Sequence, residues 1–294
     1  MTLVAIHCEE NIMGRQAAAL SVIDAIMKRP ESMELQPELR AVALELTNNC
    51  NLSCAVCHSQ NPKLYPPRAK GFMKWELFEA LTDELAHIVE FQKIKLHVAL
   101  SFGGESLLHP GFIDFLKYAA KSGHFHLRLY TNLVSLPEPT TRWLAITKTA
   151  VTVSIHFSKH LDRVLENLRL LSHFLEIEEA AFVDSDFSKE DAAHLGARIS
   201  RYVQKVGFYP YLSEDLNYSP PRPKPAAPCD FPFYYMAVLW NGEVWPCCRL
   251  LSSSFKGLGN AGEDGIWSVW TGEKYTKLRA GKLEDAPCLN CHAY

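Results

Sequence analysis

The sequence predicts an α/β protein with a partial (β/α)6 barrel of the TIM type, followed by a small domain that contains cysteines. Short apolar runs with β-branched residues alternate with longer amphipathic segments over most of the chain. A proline-rich stretch at 219–228 interrupts this pattern, and cysteines recur after it. Since each parallel strand needs a helix to return the chain to the same edge, the alternation implies parallel strands with right-handed crossovers.

The individual elements follow from the periodicity of the apolar residues. Six strands are predicted, near residues 41–47, 95–101, 126–131, 149–155, 180–184 and 206–212. Five helices are predicted between them, near residues 73–91, 111–122, 138–147, 160–175 and 188–204. An earlier helix from Asn11 to Lys28 is predicted because apolar residues recur there at helical spacing and Pro30 ends the pattern.

These elements divide the chain into four predicted segments. An N-terminal helical extension covers residues 1–40, and the barrel covers 41–212. Because proline breaks helices and cannot donate to a strand ladder, residues 213–228 are predicted to form a stiff linker. The cysteine-containing domain covers 229–294.

Composition narrows the class of protein. The formal charge is only −3 over 294 residues, so we expect neither a nucleic-acid surface nor an acidic disordered tail. The apolar segment Ala17–Met27 is short and contains Asp24, so we expect no signal peptide, no membrane partner and a cytoplasmic location. In a reducing compartment the nine cysteines are expected to be metal ligands or reactive thiols rather than disulfides.

Three cysteines, Cys50, Cys54 and Cys57, follow the first predicted strand in a C-x3-C-x2-C spacing. The carboxyl ends of parallel strands are where such folds bind ligands. Structural zinc takes four ligands, whereas three cysteines on an iron–sulfur cubane leave one iron open for another molecule. His58 could complete a zinc site, so zinc remains the alternative.

This spacing and position resemble the cluster motif of radical S-adenosylmethionine (SAM) enzymes. The resemblance implies a radical SAM barrel with a [4Fe–4S] cluster whose unique iron binds the amino and carboxylate groups of SAM. It also implies reductive cleavage of SAM to a 5′-deoxyadenosyl radical. Val56 departs from the motif, which usually has an aromatic or larger side chain beside the adenine.

A second motif comes directly after the second predicted strand. Gly103, Gly104 and Glu105 resemble the Gly-Gly-Glu motif that binds the SAM amino group in this family. Glycines allow a ligand close to the backbone, and a carboxylate accepts from an ammonium. Asn132 and Ser154, near the ends of the third and fourth strands, are further candidate SAM residues, with ordinary helix capping as the alternative.

The C-terminal cysteines resemble those of the twitch domain, a shortened relative of the SPASM domain. Asn241–Gly242 predicts a two-residue hairpin that brings the cysteines before and after it together. A zinc ribbon has the same ligand count and is the alternative. The resemblance implies an auxiliary [4Fe–4S] cluster, and its four predicted ligands are Cys229, Cys247, Cys288 and Cys291.

Cys248 remains as a spare thiol beside an expected ligand, and within an extended segment its side chain points away from that of Cys247. A thiol can donate a hydrogen atom to a carbon radical; the alternative is a small buried apolar side chain. Cys8 is expected to be structural. The pattern resembles the neomycin C epimerases of aminoglycoside biosynthesis, which implies inversion at C5‴ with Cys248 as the hydrogen donor.

A polycationic aminoglycoside requires carboxylates around its ammonium groups. Glu45 on the first strand and Asp184 and Asp186 after the fifth are candidates, with solvated surface charges as the alternative. His156, after the fourth strand, could orient a hydroxyl or accept a proton, or be satisfied within the fold. An electron donor such as flavodoxin or ferredoxin is the expected protein partner.

Three other functions stay open. A twitch-domain dehydrogenase, similar to 2-deoxy-scyllo-inosamine dehydrogenase, would oxidise an aminocyclitol or sugar alcohol and needs no thiol donor. A peptide-modifying radical SAM enzyme would invert or crosslink residues. A zinc-stabilised interaction module would have no catalytic activity.

Overall fold

The computed structural model describes residues 37–54, 57, 59–60, 68–183, 187–209, 229–247 and 255–283. The six barrel strands are β1 (Ala41–Leu44), β2 (Leu96–Ala99), β3 (Phe125–Thr131), β4 (Ala150–Ile155), β5 (Ile177–Val183) and β6 (Val203–Tyr209). The helices between them are α1 (Trp75–Gln92), α2 (Phe112–Lys121), α3 (Glu138–Ile146), α4 (Leu161–Ser172) and α5 (Lys189–Ile199). The predicted helix at Asn11–Lys28 lies outside the described residues.

The C-terminal part contributes three further strands and three short helices. They are β7 (Tyr235–Val238), β8 (Glu243–Trp245), β9 (Gly259–Asn260), α6 (Ala261–Asp264), α7 (Ile266–Thr271) and α8 (Glu273–Arg279). The sheet order is β6-β5-β4-β3-β2-β1-β7-β8-β9, with β1 to β7 parallel and the last two pairs antiparallel. The C-terminal hairpin therefore continues the barrel sheet beside β1.

The order is linear in the part of the chain that the structure describes, so the barrel is open between β6 and β9. One face of the sheet packs on the helices, because alternate strand residues such as Val42, Val98 and Leu129 are buried with Phe78 and Leu116 of α1 and α2. Residues that pair in register across neighbouring parallel strands lie on the same face of the sheet. The other face, called the open face here, contains the row Tyr130, Thr152, Glu179 and Lys205, which pair in register across β3 to β6.

The predicted strand and helix order is confirmed, but two strand boundaries were wrong. β5 and β6 begin at residues 177 and 203, and α5 ends at Ile199, so both strands start earlier than the apolar pattern indicates. Each strand begins with an apolar residue, Ile177 or Val203, and the polar residues that follow it form ion pairs. Lys205 Nζ lies 3.0 Å from Glu179 Oε1, and Arg128 Nη1 lies 2.9 Å from Glu178 Oε2.

Candidate functional site

The loops that follow β1, β2 and β3 meet at one edge of the sheet. β1 and β2 are neighbours, as are β2 and β3, so their carboxyl ends lie side by side. Cys50 follows β1, Glu105 follows β2, and Asn132 follows β3. The backbone N–H of Glu105 donates to Asn49 O at 2.8 Å, which joins the second motif to the residue before the first cysteine.

The Glu105 carboxylate binds groups of its own chain. Its side chain is buried and accepts from Thr131 Oγ1 at 2.9 Å, from the Asn132 N–H at 2.8 Å and from the Leu107 N–H at 3.2 Å. Burial outweighs these hydrogen bonds and raises the pKa of Glu105 to about 7. The Gly-Gly-Glu motif predicts that this carboxylate binds the SAM amino group; in the structure its oxygens accept hydrogen bonds that hold the end of β3.

Asn132 connects Glu105 to the first cysteine. Its side-chain Nδ2 donates to Asn51 Oδ1 at 2.9 Å and lies 3.7 Å from Cys50 Sγ. The Cys50 sulfur also accepts from the Leu52 N–H at 3.4 Å. Burial raises the pKa of the Cys50 thiol to about 11. Glu105 thus holds the Asn132 backbone, and Asn132 places its Nδ2 donor beside the sulfur of Cys50, a predicted iron ligand.

The two glycines of the second motif pack against the first. A Cβ at Gly104 would overlap the backbone of residues 47–49, and a Cβ at Gly103 would overlap the side chains of Glu45, Ser59 and Arg68. Only glycine fits such close approach without displacement. The glycines are therefore required by the packing of these loops, and their contact with SAM stays a prediction.

The described thiols suit an iron–sulfur cluster. Cys50, Cys54 and Cys57 are all partly buried, and Cys57 Sγ accepts from the Ser59 N–H at 3.4 Å. Hydrogen bonds of this kind to cysteine sulfur are a feature of iron–sulfur sites. Within the described ranges, no three cysteine, histidine or carboxylate side chains converge to hold a single metal ion. A cubane binds each cysteine through a different iron, so its ligands need not converge on one point.

Glu45 is buried and has an internal partner. Arg68 Nη2 and Nη1 donate to its carboxylate at 2.8 and 3.2 Å, and the Trp240 N–H lies 3.4 Å from it. Its charge is therefore compensated by a residue that the sequence analysis missed. Arg68 follows no local pattern and lies 23 positions away along the chain.

Of the other candidate residues, the structure describes His156 and Ser154. His156 donates from Nδ1 to Val183 O at 3.0 Å, so it supports the end of β5, where the loop with Asp184 and Asp186 begins. Those two aspartates lie outside the described residues. Ser154 is half-buried on β4.

The C-terminal hairpin forms as predicted, but its loop has three residues, 240–242, rather than two, because Leu239 pairs with Glu243 and the Gly242 N–H donates to Leu239 O at 2.9 Å. Asn241–Gly242 joins β7 to β8, and Gly242 has a φ of 89°, a left-handed conformation that favours glycine. Ala237 pairs with Trp245, so the chain after β8 runs back toward the start of β7 and brings Cys247 there. The predicted ligands Cys288 and Cys291, and the predicted donor Cys248, lie outside the described residues.

The two groups of cysteines lie at opposite ends of the strands. Cys50 follows the carboxyl end of β1. β7 runs parallel to β1, with Tyr235 opposite Ala41 at the amino end. Cys229 enters β7 from that end and Cys247 returns to it. The open face of the sheet therefore extends from one cysteine group toward the other.

Comparison with known proteins matches the C-terminal part of the chain to a family model. Residues 229–292 match the SPASM family, described as an iron–sulfur cluster-binding domain. Over 310 aligned residues the chain is 24% identical to the tungsten-containing aldehyde ferredoxin oxidoreductase cofactor-modifying protein of Pyrococcus furiosus, covering 82% of this chain and 83% of that protein.

Solved structures share the fold. SuiB of Streptococcus suis bound to S-adenosylmethionine aligns with a TM-score of 0.64 at 15% identity, covering 87% of this chain and 71% of SuiB. BtrN in complex with AdoMet and 2-DOIA aligns with a TM-score of 0.53 at 18% identity, covering 85% and 89%. anSMEcpe with bound AdoMet aligns with a TM-score of 0.53 at 14% identity, covering 81% and 82%.

The predicted fold class is confirmed: a mostly parallel α/β sheet of the radical SAM barrel type, with a SPASM-type iron–sulfur domain at the C-terminus. The family match supports an iron–sulfur cluster in residues 229–292, and SAM as a cofactor of this chain stays a proposal. No helix in the described ranges is long and apolar enough to cross a bilayer. The division into residues 1–40, 41–212, 213–228 and 229–294 stays a prediction.

Proposed function

We propose that the chain is a radical SAM epimerase that inverts a sugar carbon of an aminoglycoside, in the manner of neomycin C to neomycin B at C5‴. Cys50, Cys54 and Cys57 would hold the cluster, which together with SAM would supply a 5′-deoxyadenosyl radical for removal of a hydrogen atom from the substrate carbon. The Cys248 thiol then returns a hydrogen atom to the other face of that carbon. An electron and a proton from the external donor restore the thiol.

The observation that carries this proposal is the placement of the two cysteine groups at opposite ends of β1 and β7. Cys248 follows Cys247 by one peptide unit, about 3.8 Å between Cα atoms. A substrate over the open face would meet SAM from the end with Cys50 and the thiol from the end with Cys247. Removal and return of hydrogen from opposite sides is what inversion at carbon requires.

The SAM site is proposed to form from the loops after β1 to β4. Gly103 and Gly104 give backbone close to the cysteine loop, and Glu105 holds Asn132 beside Cys50. Ser154 lies on the neighbouring strand. These side chains would hold the cofactor in one orientation, so that the radical forms beside the open face.

Charge recognition of the substrate would depend on the loop after β5. The described carboxylates near the open face already have partners, since Glu179 binds Lys205 and Glu45 binds Arg68. Buried ammonium groups need carboxylates whose charge is not already compensated. Asp184 and Asp186 are the candidates for that task, with His156 holding their loop at its start.

The same compensation favours a second candidate, a twitch-domain dehydrogenase of an uncharged sugar alcohol; an aminocyclitol substrate would need a carboxylate for its ammonium. Glu179 accepts from Tyr209 Oη at 2.6 Å, so hydroxyl groups and paired charges line this part of the sheet. A peptide substrate is a further possibility, because SuiB was solved with its precursor peptide SuiA and anSMEcpe with the Cp18Cys peptide. A dehydrogenase or a peptide-crosslinking enzyme would not need Cys248 to return hydrogen, whereas an enzyme that inverts a peptide residue would.

The test is anaerobic incubation of the reconstituted chain with SAM, reduced flavodoxin or ferredoxin, and a panel of aminoglycosides. We expect a product of unchanged mass that separates from its substrate by chromatography. In deuterated water the inverted carbon should carry deuterium, because a thiol hydrogen exchanges with solvent. Cys248→Ala should still cleave SAM but form no epimer, whereas Cys54→Ala should do neither. A product lighter by two hydrogens would refute the epimerase and support the dehydrogenase.

A further inference from the structure

A short segment runs beside the cysteine loop and holds it from outside. This segment, residues 68–72, is called the strap here. Thr47 forms an antiparallel bridge with the strap, and its Oγ1 donates to Gly71 O at 2.6 Å. Asn48 Oδ1 accepts from the Gly71 N–H at 2.9 Å. Thr47 and Asn48 are both buried, and they lead directly into Cys50.

Lys70 of the strap joins the beginning of the cysteine loop to its end. Its Nζ donates to Asn48 O at 2.8 Å, to Ser59 O at 3.1 Å and to Gln60 Oε1 at 2.8 Å. Gln60 Nε2 in turn donates to Asn48 O at 2.8 Å. All three predicted ligands lie between these attachment points, so one ammonium closes the loop that contains them.

The ammonium also brings a positive charge to the cysteine site. Lys70 Nζ donates to the Ser59 carbonyl at 3.1 Å, and the N–H of the same residue donates to Cys57 Sγ at 3.4 Å, so the ammonium lies next to a predicted ligand. A positive charge near an iron–sulfur cluster favours the reduced form, which has one more electron, and so raises the reduction potential. Because Lys70 is exposed on its outer side, solvent and salt reduce this effect without removing it.

The strap is anchored on its other side to the C-terminal hairpin. A Cβ at Gly71 would overlap the ring of Trp240, so the strap backbone packs directly on that side chain. Arg68 pairs with Glu45, which also lies beside the Trp240 N–H. The strap backbone therefore has fixed support. Packing of the strap sets where the Lys70 backbone lies, and the hydrogen bonds of its ammonium set where the charge lies.

We infer that Lys70 is a positioning residue of the cysteine site: it closes the loop and holds a positive charge beside the cluster that the loop binds. The part about charge rests on the proposed SAM cluster at Cys50, Cys54 and Cys57. The part about loop closure applies to the chain with or without a cluster.

The first experiment measures loop closure by hydrogen exchange of the amides in residues 48–60 of the full chain, as purified and after anaerobic reconstitution. Lys70→Met removes hydrogen bonds from a charged donor, so exchange should become about tenfold faster there. Lys74→Met is the matched control, because it removes an exposed lysine at the start of α1 and should leave exchange unchanged. Equal exchange in Lys70→Met and wild type would overturn loop closure.

The second experiment measures the midpoint potential of the SAM cluster by electron paramagnetic resonance during a redox titration. Lys70→Gln can still donate hydrogen bonds but has no charge. At the wild-type midpoint its ratio of reduced to oxidised cluster should be about three- to tenfold lower, where tenfold corresponds to about 59 mV for a one-electron couple. Lys70→Arg keeps the charge and should stay near the wild-type potential.

The outcomes separate this inference from the proposed function. If Lys70→Gln and wild type have the same potential, the charge role is wrong even when SAM cleavage proceeds. If the wild type binds no cluster or never forms 5′-deoxyadenosine, the proposed function is wrong, and the exchange result still decides whether Lys70 closes the loop. If Lys70→Gln and Lys70→Arg lower the potential equally, charge is not the cause and the role is refuted.

Discussion

Changing Glu105 to glutamine tests whether a buried carboxylate holds the end of β3 beside Cys50. Glu105 accepts from Thr131, Leu107 and Asn132. Glutamine has the same size but only one acceptor oxygen, so its amide group would face one of these donors. A buried donor without an acceptor costs about 1–3 kcal/mol. Near pH 5 this cost is shared, because the protonated Glu105 carboxyl also has only one acceptor oxygen without a hydrogen. We therefore expect the unfolding free energies of wild type and Glu105→Gln to agree within about 1 kcal/mol there.

The pH dependence has a definite sign. Burial raises the pKa of Glu105 from 4.5 to about 7. Between these two pH values the folded chain keeps a proton that the unfolded chain has lost, so the unfolding free energy of the wild type falls as pH rises. Above about pH 7 the effect is complete. Glutamine does not titrate, so the wild type should become less stable than the variant by about 2–3 kcal/mol between pH 5 and pH 8.

The assay is urea unfolding of the full chain, followed by tryptophan fluorescence at intervals from pH 5 to pH 8. Burial lowers the pKa of His97 and of His109, but both titrate equally in wild type and variant and cancel in the difference. Glu76→Gln, an exposed change on α1, is the control and should give a difference that does not depend on pH. A constant difference for Glu105→Gln would refute the reasoning, because it would mean that this carboxylate does not titrate in the interval.

Three further changes test contacts elsewhere. Glu84→Ala removes the acceptor of the Ile266 and Trp267 N–H groups at the start of α7, 2.8 and 2.9 Å away, and should lower the unfolding free energy measured with urea by about 2–4 kcal/mol. Gly104→Ala places a Cβ against backbone of the cysteine loop and should reduce iron bound at that site more than tenfold by iron and sulfide analysis, with the circular dichroism spectrum retained. Gly242→Ala forces a side chain into a left-handed turn and should cost about 1–2 kcal/mol in the same urea assay, whereas an asparagine there should cost less.

The sequence was sufficient for the barrel because its signals are local. Apolar periodicity within each strand and helix gave the element order, and the cysteine spacing with the glycine pair of the next unit gave two adjacent loops. β5 and β6 begin earlier than predicted because polar residues directly follow their first residues, Ile177 and Val203. Glu179 and Lys205 look like loop residues until their pairing across the sheet is known.

The contacts that position the site were not predictable in the same way. Lys70 and Asn48 are 22 positions apart, and Glu84 and Ile266 are 182 positions apart. No helical or strand period relates residues at such separations. In the sequence alone, Lys70 and Glu84 therefore look like solvated surface charges. Glu105 shows the converse case: the sequence located the motif, but only the structure shows that the chain itself supplies donors to the carboxylate.

The pairing of β7 with β1 fixes the separation of the two cysteine groups on which the proposed hydrogen transfer depends. β1 spans four residues from Ala41 to Leu44, about 13 Å of extended chain. The register places Tyr235 opposite Ala41, so the hairpin cannot move along β1 without turning buried residues such as Met236 and Val238 to the other face. The distance between the two cysteine groups is therefore set by the hydrophobic core rather than by a flexible linker. An enzyme that must remove hydrogen from one side of a carbon and return it from the other needs such fixed separation, since a mobile thiol could return hydrogen from the same side and leave the substrate unchanged.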